Sequence, residues 1–315
     1  MRTIILMSTY QGENFVVDQI ASILACMQQG DQLLIRDDGS TDRTIERIQS
    51  FDDSRIQCVK GQNLGFSRSF MELMRQVPSG FDMIMLADQD DIWLPGKMES
   101  AWDFIKLHKG VPALYCSRQY LVDENLQAIA LSENFKRRPS FENALTENIV
   151  TGCTAAFNPD LLRLVILLKN SQLVYFHDWW LYLVATTFGN VFFDTHSHIQ
   201  YRQHSQNAIG RGAGMARYLE IIKFLRKKSW IHIMYQQIQA FQLTYSEILS
   251  DEQSKFIKRF FNPNDRRSVI RLIFSMKRFR QSLFGEFLLR GLLAFEWTFG
   301  RGLLPTSPPH IGSSS

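Results

Sequence analysis

The sequence predicts an α/β protein with a mostly parallel sheet and helices on both faces of that sheet. Through the first third of the 315-residue chain, short apolar runs alternate with segments whose apolar residues recur at helical spacing. Alternation of this kind is typical of parallel strands joined by crossover helices. Polar clusters follow the predicted strands, and open sheets of this type bind ligands beyond the carboxyl ends of their strands.

The elements follow one another in a regular order. Apolar, β-prone runs predict the first four strands at 3–8, 32–36, 55–60 and 81–87. Between them, apolar residues at helical spacing predict helices at 14–27, after the turn at 37–42, and at 65–74. Residues 111–150 lack a clear pattern. Later segments predict helices opening at Pro159 and His177, strands at 190–194 and 198–204, and a largely helical stretch at 216–299 with turns near Ser250, 262–264 and Gly285.

Charge divides the chain into two regions. Residues 1–210 hold 18 Lys and Arg against 24 Asp and Glu, whereas residues 211–315 hold 17 against 7. We therefore expect a mildly acidic body over 1–210 and a helical, basic region over 211–315. A strongly basic region suggests an anionic partner, either nucleic acid or anionic lipid. The four cysteines form no CxxC pair, which argues against a zinc site and a disulfide scaffold and fits a reducing compartment.

An acidic run follows the fourth predicted strand. Asp88, Asp90 and Asp91 lie within four residues, directly after the apolar run 83–87. Carboxylates this close repel one another and lose solvation, so a bound divalent cation is the simplest way to hold them together. Mg²⁺ and Mn²⁺ prefer such oxygen ligands. A solvated acidic turn is the alternative. Neither a GxGxxG fingerprint nor a P-loop is present in the sequence.

Seven short motifs in order resemble a known family. They are STYQGE, RDDGSTDRT, NLGFSRSF, LADQDDIW, TGCTAAF, HDWW and YRQHSQNAIG. Together they make residues 1–210 similar to family-2 glycosyltransferases of the GT-A fold, and most similar to the bacterial rhamnosyltransferase-like branch that builds O-antigen and capsule. The resemblance implies an inverting transfer of a sugar from a nucleoside diphosphate sugar to an acceptor hydroxyl.

The resemblance also implies a nucleotide-sugar site. Its residues match Thr9, Tyr10, Asp37, Asp38, Asn63, Arg68, Asp88 and Asp90. Asp37 is expected to accept a hydrogen bond from N3–H of uracil or thymine, Tyr10 to pack on the base, and Arg68 to contact the diphosphate. The alternatives are an Asx-capped turn for Asp37 and Asp38, and an ordinary surface arginine for Arg68.

The same resemblance implies the metal ligands and the base. Asp88, Asp90 and Asp91 match a DxD-type motif in which Asp90 and Asp91 touch the ribose and a Mn²⁺ or Mg²⁺ ion while Asp88 supports the turn. His204 is a further candidate ligand, with a structural histidine as the alternative. Asp178 occupies the place of the family's general base, although His177 replaces the commoner Glu before it; Asp178 could also cap the following helix.

The basic region predicts the location of the protein. Charges interrupt its most apolar stretch, 282–304, too often for a transmembrane span, and an amphipathic helix lying in the membrane interface fits better. A helical bundle with a solvated basic face is the alternative. With the family's acceptors, this predicts a polyprenyl-diphosphate-linked oligosaccharide as partner and a cytoplasmic protein peripherally associated with the anionic inner face of the bacterial membrane. The glycine-containing loop 205–214 is expected to form a lid over the donor.

Two other functions remain open at this point. A nucleotidyltransferase also uses a parallel sheet and acidic metal ligands, but its first loop usually holds glycines and basic residues, whereas 8–14 holds one glycine and no Lys or Arg. A nucleic-acid-binding protein would use the basic region. The aromatic residues of that region belong to apolar helix faces, so we expect no nucleic-acid partner.

Overall fold

The computed structural model describes residues 1–204 and 230–299. Two compact units divide the described chain: residues 1–144 with 148–204, and residues 145–147 with 230–299. The predicted lid at 205–214 and the basic residues at 211–229 lie outside the described residues. Among the helices that are described, none combines the length and hydropathy needed to cross a bilayer.

Eleven strands of the first unit form two sheets. They are β1 (Thr3–Thr9), β2 (Gln32–Asp37), β3 (Ile56–Lys60), β4 (Met83–Ala87), β5 (Ile92–Trp93), β6 (Ala113–Ser117), β7 (Tyr120–Val122), β8 (Ala128–Leu131), β9 (Ala156–Phe157), β10 (Asn190–Asp194) and β11 (Ile199–Arg202). The helices of this unit are α1 (Val16–Cys26), α2 (Thr44–Gln49), α3 (Phe66–Arg75), α4 (Lys97–Ile105), α5 (Phe141–Ala144), α6 (Pro159–Val165) and α7 (His177–Phe188).

The central sheet confirms the predicted fold class. Its strand order is β10-β6-β9-β4-β1-β2-β3, and every neighbouring pair is parallel except the two that involve β9. The strands β1 and β4 are buried almost throughout, as expected for near-continuous apolar runs covered on both faces. The apolar side chains of α1, including Val16 and Ile20, join the core on one side of this sheet.

A second, four-stranded sheet lies beside the acidic run and was not predicted. Its order is β5-β11-β7-β8, with β5 antiparallel to β11. Because β5 begins directly after Asp91, pairing with β11 brings Arg202 and His204 back to the acidic turn. The stretch 111–150, whose sequence pattern predicts no element, contains β6, β7 and β8, whereas 132–140 is neither helix nor strand. Strands of three to five residues that pair with distant partners leave a weak periodic signal in sequence.

Four helices form most of the described second unit. They are α8 (Trp230–Tyr245), α9 (Asp251–Phe260), α10 (Arg266–Ile273) and α11 (Leu283–Phe299). Ser250 caps α9 in a complete capping box, so the turn predicted near Ser250 is confirmed. The turn predicted at Gly285 was wrong, because Gly285 lies inside α11 and the break between α10 and α11 falls at 274–282.

A buried carboxylate holds the loop before α11. Glu286 is 5% exposed, accepts hydrogen bonds from the backbone N–H groups of Phe279 and Arg280 at 2.8 Å each, and pairs with Arg290 at 2.7 Å. Replacing Glu286 with alanine would remove the acceptor of two backbone N–H groups and of the charged guanidinium of Arg290. We expect Glu286→Ala to lower the free energy of unfolding by about 3 kcal/mol.

Chemical denaturation of the full chain measures this effect. Glu296→Ala is the matched control on the same helix, because Glu296 is only half-buried, and we expect it to change stability by less than about 0.5 kcal/mol. Equal effects of the two substitutions would contradict the role given to Glu286.

Candidate active site

The loops after β1, β2 and β4 share one edge of the central sheet. In the strand register, Thr9 faces Asp37 and Met7 faces Ala87. The strands run parallel, so the residues that follow them leave the sheet on the same side. This edge therefore gathers the predicted nucleotide residues of the first two loops and the acidic turn of the fourth strand.

Asp37 holds the second of these loops. Its carboxylate accepts hydrogen bonds from the hydroxyl of Thr9 at 2.9 Å, the hydroxyl of Ser40 at 2.6 Å and the backbone N–H of Ser40 at 2.8 Å. The Asp37 and Thr9 side chains are buried. In this conformation both Asp37 oxygens serve the turn, as in the Asx-capped alternative. Recognition of a pyrimidine base by Asp37 stays a prediction.

Asp38 ties this loop to the third predicted cluster. Its carboxylate forms an ion pair with Arg36 and accepts hydrogen bonds from the backbone N–H groups of Leu64 at 2.9 Å and Gly65 at 2.8 Å. Asn63 is exposed in the same loop. The Asp38 side chain thus fixes the backbone that carries Asn63.

Arg68 and Tyr10 are the two remaining residues of the predicted nucleotide-sugar site outside the acidic turn. Arg68 lies in the first turn of α3, half-buried, and its Nε donates to the carbonyl of Leu64 at 2.6 Å. Tyr10 follows β1 and its side chain is 45% exposed. An exposed phenol ring at this edge is available to a ligand, which is what packing on a base would require.

Gln89 joins the first loop to the acidic turn, and the sequence analysis missed it. Its amide accepts a hydrogen bond from the N–H of Tyr10 at 2.8 Å and donates to the carbonyl of Tyr10 at 3.0 Å. A Cβ on Gly12 would lie 2.4 Å from Oε1 of Gln89, so a larger residue at position 12 would displace the Gln89 side chain from this bridge. A single glutamine between three aspartates gives no signal in sequence that could reveal this bridge.

The acidic turn concentrates negative charge in a poorly solvated place. Burial, followed by the nearby charges of Asp90 and Asp178, raises the pKa of Asp88 to about 7. Burial, followed by the charges of Asp90 and Asp88, holds the pKa of Asp91, which is fully buried, well above its usual range. Lys97 is a buried cation in this region, and its Nζ donates to the carbonyl of Cys153 at 2.9 Å.

The end of β11 braces the turn from the other side. His204 Nε2 donates to Asp90 at 2.8 Å, and the imidazole stacks on Phe15 with ring centroids 4.4 Å apart. The backbone N–H of Arg202 donates to Asp91 at 3.2 Å, and its Nε donates to the carbonyl of Asp90 at 2.9 Å. His204 therefore orients Asp90 here, and its predicted role as a metal ligand would require that bond to break.

The donor atoms of this cluster fit a hard divalent cation. Among the described residues, ligand atoms of Asp88, Asp91 and Cys153 lie within 4.8 Å of one another. Burial raises the pKa of the Cys153 thiol well above its usual range, and a neutral thiol is a poor ligand for Mg²⁺ or Mn²⁺. The carboxylates are suitable ligands, and a cation among them would offset the repulsion that raises the pKa of Asp88.

Asp178 lies near this cluster, in the first turn of α7. Its Oδ1 accepts a hydrogen bond from the N–H of Trp179 at 2.7 Å. Burial raises the pKa of Asp178 to about 6, although hydrogen bonds from Trp179 and then Asn148 oppose the shift. Since its charge acts on Asp88, the two carboxylates belong to one electrostatic cluster. A carboxylate with a pKa near the working pH is suited to accept a proton.

His177, beside Asp178, is buried and uncharged. It is 4% exposed, stacks on Phe70 with ring centroids 4.3 Å apart, and its two nitrogens have no hydrogen-bond partner among the residues described. Burial lowers the pKa of His177 to about 3. A Cβ on Gly152 would lie 2.9 Å from Nε2 of His177, so glycine at position 152 lets its backbone lie close to the His177 side chain.

Fold and site together define a GT-A-type glycosyltransferase. Carboxylates cluster at the carboxyl edge of a mainly parallel sheet, with a further carboxylate on a helix beside them, as a transferase acting on a diphosphate-activated sugar requires. The chain belongs to glycosyl transferase family 2, whose sequence model matches residues 4–165, just over half of the chain. Membership of this family favours glycosyl transfer over the nucleotidyl transfer considered above.

Two curated relatives illustrate the family. The chain is 28% identical to the dTDP-rhamnosyl transferase RfbG of Shigella flexneri over 241 residues, which cover 70% of this chain and 80% of that protein. It is 30% identical over 95 residues to the UDP-Glc:α-D-GlcNAc-diphosphoundecaprenol β-1,3-glucosyltransferase WfgD of Escherichia coli, covering 30% of this chain and 37% of the relative.

Solved structures show the same fold. Staphylococcus aureus TarS 1–349 superposes with a TM-score of 0.55 at 13% identity, over 95% of this chain and 88% of TarS 1–349. The complex of TarS 1–349 with UDP-GlcNAc gives a TM-score of 0.54 at 12% identity, over 87% of this chain and 80% of that one. At such identities the likeness concerns the fold alone.

Proposed function

We propose that this protein transfers one sugar, with inversion at the anomeric carbon, from a dTDP- or UDP-sugar to a polyprenyl-diphosphate-linked oligosaccharide during assembly of a surface polysaccharide. The observation that carries the proposal is the convergence of Asp88, Asp90 and Asp178 at the carboxyl edge of the sheet, where burial and then the charges of Asp90 and Asp178 raise the pKa of Asp88. Such a site can bind a cation and a diphosphate and still offer a base.

Rhamnose from dTDP-rhamnose is the first candidate donor. The match to the dTDP-rhamnosyl transferase covers 70% of this chain, whereas the match to the UDP-glucose-dependent relative covers 30%. Galactose or glucose from a uridine nucleotide is the second candidate. Both nucleotides carry a pyrimidine with a donor at N3–H, for which a carboxylate of the Asp37–Asp38 turn is the proposed acceptor.

Different residues at the carboxyl edge of the central sheet have different roles in the proposed reaction. Thr9, Tyr10, Asp37, Asp38 and Asn63 form the proposed nucleotide cradle. Arg68 is the proposed diphosphate contact, since a guanidinium binds phosphate oxygens in bidentate fashion.

The acidic turn and α7 supply the proposed cation site and the proposed base. Asp90 and Asp91 would hold the proposed Mn²⁺ or Mg²⁺, with Asp88 beside Asp91 in the same turn and His204 orienting Asp90. When bound, the ion offsets the charge that grows on the departing diphosphate. Asp178 accepts the proton of the acceptor hydroxyl while that oxygen bonds to the anomeric carbon from the face opposite the leaving group. Inversion follows from that geometry.

A lipid-linked acceptor also implies where in the cell the enzyme works. Its polyprenyl chain stays in the bilayer, so the enzyme would work at the cytoplasmic surface of the bacterial inner membrane. Peripheral association with anionic lipid is supported by the basic composition of residues 211–315, which hold 17 Lys and Arg against 7 Asp and Glu.

A donor panel tests the proposal. Purified protein is incubated with dTDP-rhamnose, UDP-glucose, UDP-galactose and GDP-mannose, with Mn²⁺ or Mg²⁺, and release of nucleoside diphosphate is measured with and without a lipid-diphosphate acceptor. We expect turnover of one pyrimidine nucleotide sugar and none of GDP-mannose. Turnover restricted to the guanine nucleotide, or no turnover of any donor, would contradict the proposal.

The pH profile should reveal the base. Because burial raises the pKa of Asp178 to about 6, its ionised, proton-accepting form is lost as the pH falls through that value. We expect kcat to fall about tenfold per pH unit below pH 6. Saturating donor and a circular dichroism check of the fold isolate this effect. A kcat that stays flat down to pH 5 would exclude Asp178 as a base with a raised pKa.

A further inference from the structure

The exposed surface of α10, α11 and the loop between them has an unusual composition. From residue 266 to residue 297, every exposed side chain is either basic or apolar, apart from Gly291. The exposed positions are Arg266, Arg267, Ile270, Arg271, Phe274, Met276, Lys277, Leu283, Phe284, Phe287, Leu288, Gly291, Phe295 and Trp297. We call this surface the α10–α11 face.

The apolar part of this face is large and well exposed. Met276 is 100% exposed, Phe274 77%, Phe287 73% and Leu283 61%. Leu283 and Phe287 are four residues apart on α11 and therefore lie on one side of the helix. Single exposed apolar side chains are common, but a concentration of this kind marks a surface that meets another apolar phase.

The charged part of the face has one sign. Arg266, Arg267 and Arg271 are exposed on α10, while the two carboxylates of the stretch are withdrawn. Glu286 is buried and paired with Arg290, and Glu296 is half-buried. The exposed charges between residues 266 and 297 are therefore all positive, although Asp251 and Glu252 of α9 line a pocket with Lys277 at its border.

This combination selects one occupant. A second copy of the chain packed through the same face would bring the arginines of both chains into one interface without exposed carboxylates from this stretch to pair with them, which costs energy. A nucleic acid would meet the arginines but would gain little from an exposed Met276 or Leu283. An anionic bilayer takes both parts, since acyl chains accept the apolar side chains and headgroup phosphates pair with the arginines.

We propose that the α10–α11 face docks on an anionic lipid bilayer. Phe274, Met276 and Phe287 enter the boundary between headgroups and acyl chains, and Arg266 and Arg271 bind the lipid phosphates. The biological purpose rests on the proposed function, because an enzyme acting on a lipid-linked acceptor needs to remain at the membrane. The surface itself is argued from exposure and charge alone.

Vesicle co-sedimentation of the full-length protein tests the docking. The vesicles are phosphatidylcholine with or without phosphatidylglycerol at about one lipid in three. We expect the wild type to bind the anionic vesicles, and the triple variant Phe274→Ser, Met276→Ser, Phe287→Ser to have a partition coefficient at least about tenfold lower. Arg266→Gln with Arg271→Gln should weaken binding to anionic vesicles and reduce its salt dependence.

A matched control replaces exposed apolar residues elsewhere. Leu107 is 75% exposed, Leu243 67% and Ile248 50%, so their triple replacement by serine also removes exposed apolar surface, although less than the tested variant does. We expect this control to bind vesicles like the wild type. Thermal unfolding checks that both triple variants fold, and light scattering reports their oligomeric state.

Each outcome decides the proposal. Undiminished vesicle binding by the Phe274, Met276 and Phe287 variant would overturn it. Wild-type dimers that dissociate in that variant, without a change in vesicle binding, would assign the face to a second copy instead. A wild type that hydrolyses a nucleotide sugar in buffer but binds no vesicles overturns the docking alone. A wild type that binds vesicles but turns over no donor overturns the proposed function and leaves the docking intact.

Discussion

Asp178→Asn is expected to reduce sugar transfer by about 10²–10⁴-fold while leaving donor binding within a few-fold of the wild type. The amide is nearly isosteric with the carboxylate and can still accept the hydrogen bond from the N–H of Trp179, so α7 should keep its start. It cannot take a proton from the acceptor hydroxyl. The loss should therefore fall on kcat and leave the dissociation constant of the nucleotide nearly unchanged.

Asp103→Asn provides the control for this substitution. Its side chain is 70% exposed on α4, and its ion pair with Lys106 is of the surface kind that contributes little. Transfer rates are measured with saturating donor and an acceptor lipid, and nucleotide binding by calorimetry. An Asp178→Asn enzyme with more than about a tenth of the wild-type kcat would mean that another group accepts the proton.

Asp90→Asn is expected to lower kcat/KM by about 10²–10³-fold, and chelation of the cation should do the same to the wild type. Asp90 is half-buried at the acidic turn and oriented by His204 at 2.8 Å, so its carboxylate is positioned to bind an ion. Removing either the ligand or the ion leaves the charge of the departing diphosphate uncompensated. The two losses therefore share one cause.

A combined experiment tests that shared cause. Chelator added to Asp90→Asn should produce little further loss, whereas chelator added to Asp52→Asn, an exposed loop carboxylate, should reduce activity as much as it does in the wild type. Mn²⁺ or Mg²⁺ added back should restore the wild type and the control alone. Full additivity of the two losses would show that Asp90 and the cation act separately.

The central strands could be predicted because their apolar composition indicates that they are buried. The strands β1, β2 and β4 are short apolar runs, and the structure places each within two residues of the predicted bounds. Such runs are buried on both faces of a parallel sheet, so their apolar composition predicts them wherever they lie along the chain. The polar residues after these strands were likewise expected at one edge, since parallel strands end on the same side.

Pairing between distant short segments could not be predicted. The two-residue strands β5 and β9 exist only because β11, β4 and β6 lie beside them. The antiparallel position of β9 inside an otherwise parallel sheet has no local signature. The same holds for Gln89, whose bridge to Tyr10 depends on how two loops meet.

The burial and the pKa values of the site residues could not be predicted from the sequence either. Three nearby aspartates indicate a cation, but burial distinguishes them, with Asp91 fully buried while Asp88 and Asp90 keep some exposure. Lys97 is nine residues after Asp88, and its place beside the carbonyl of Cys153 follows from tertiary packing. The raised pKa of Asp178 likewise comes from burial, which local sequence does not report.

Titration calorimetry of dTDP and UDP into the purified protein, with and without Mn²⁺ or Mg²⁺, tests most directly whether this edge of the sheet binds a pyrimidine nucleoside diphosphate together with a cation. The account predicts saturable binding of at least one of the two nucleotides, weakened at least about tenfold by chelator and by Asp90→Asn. Absence of binding under all these conditions, or binding of equal strength with and without the cation, would contradict it.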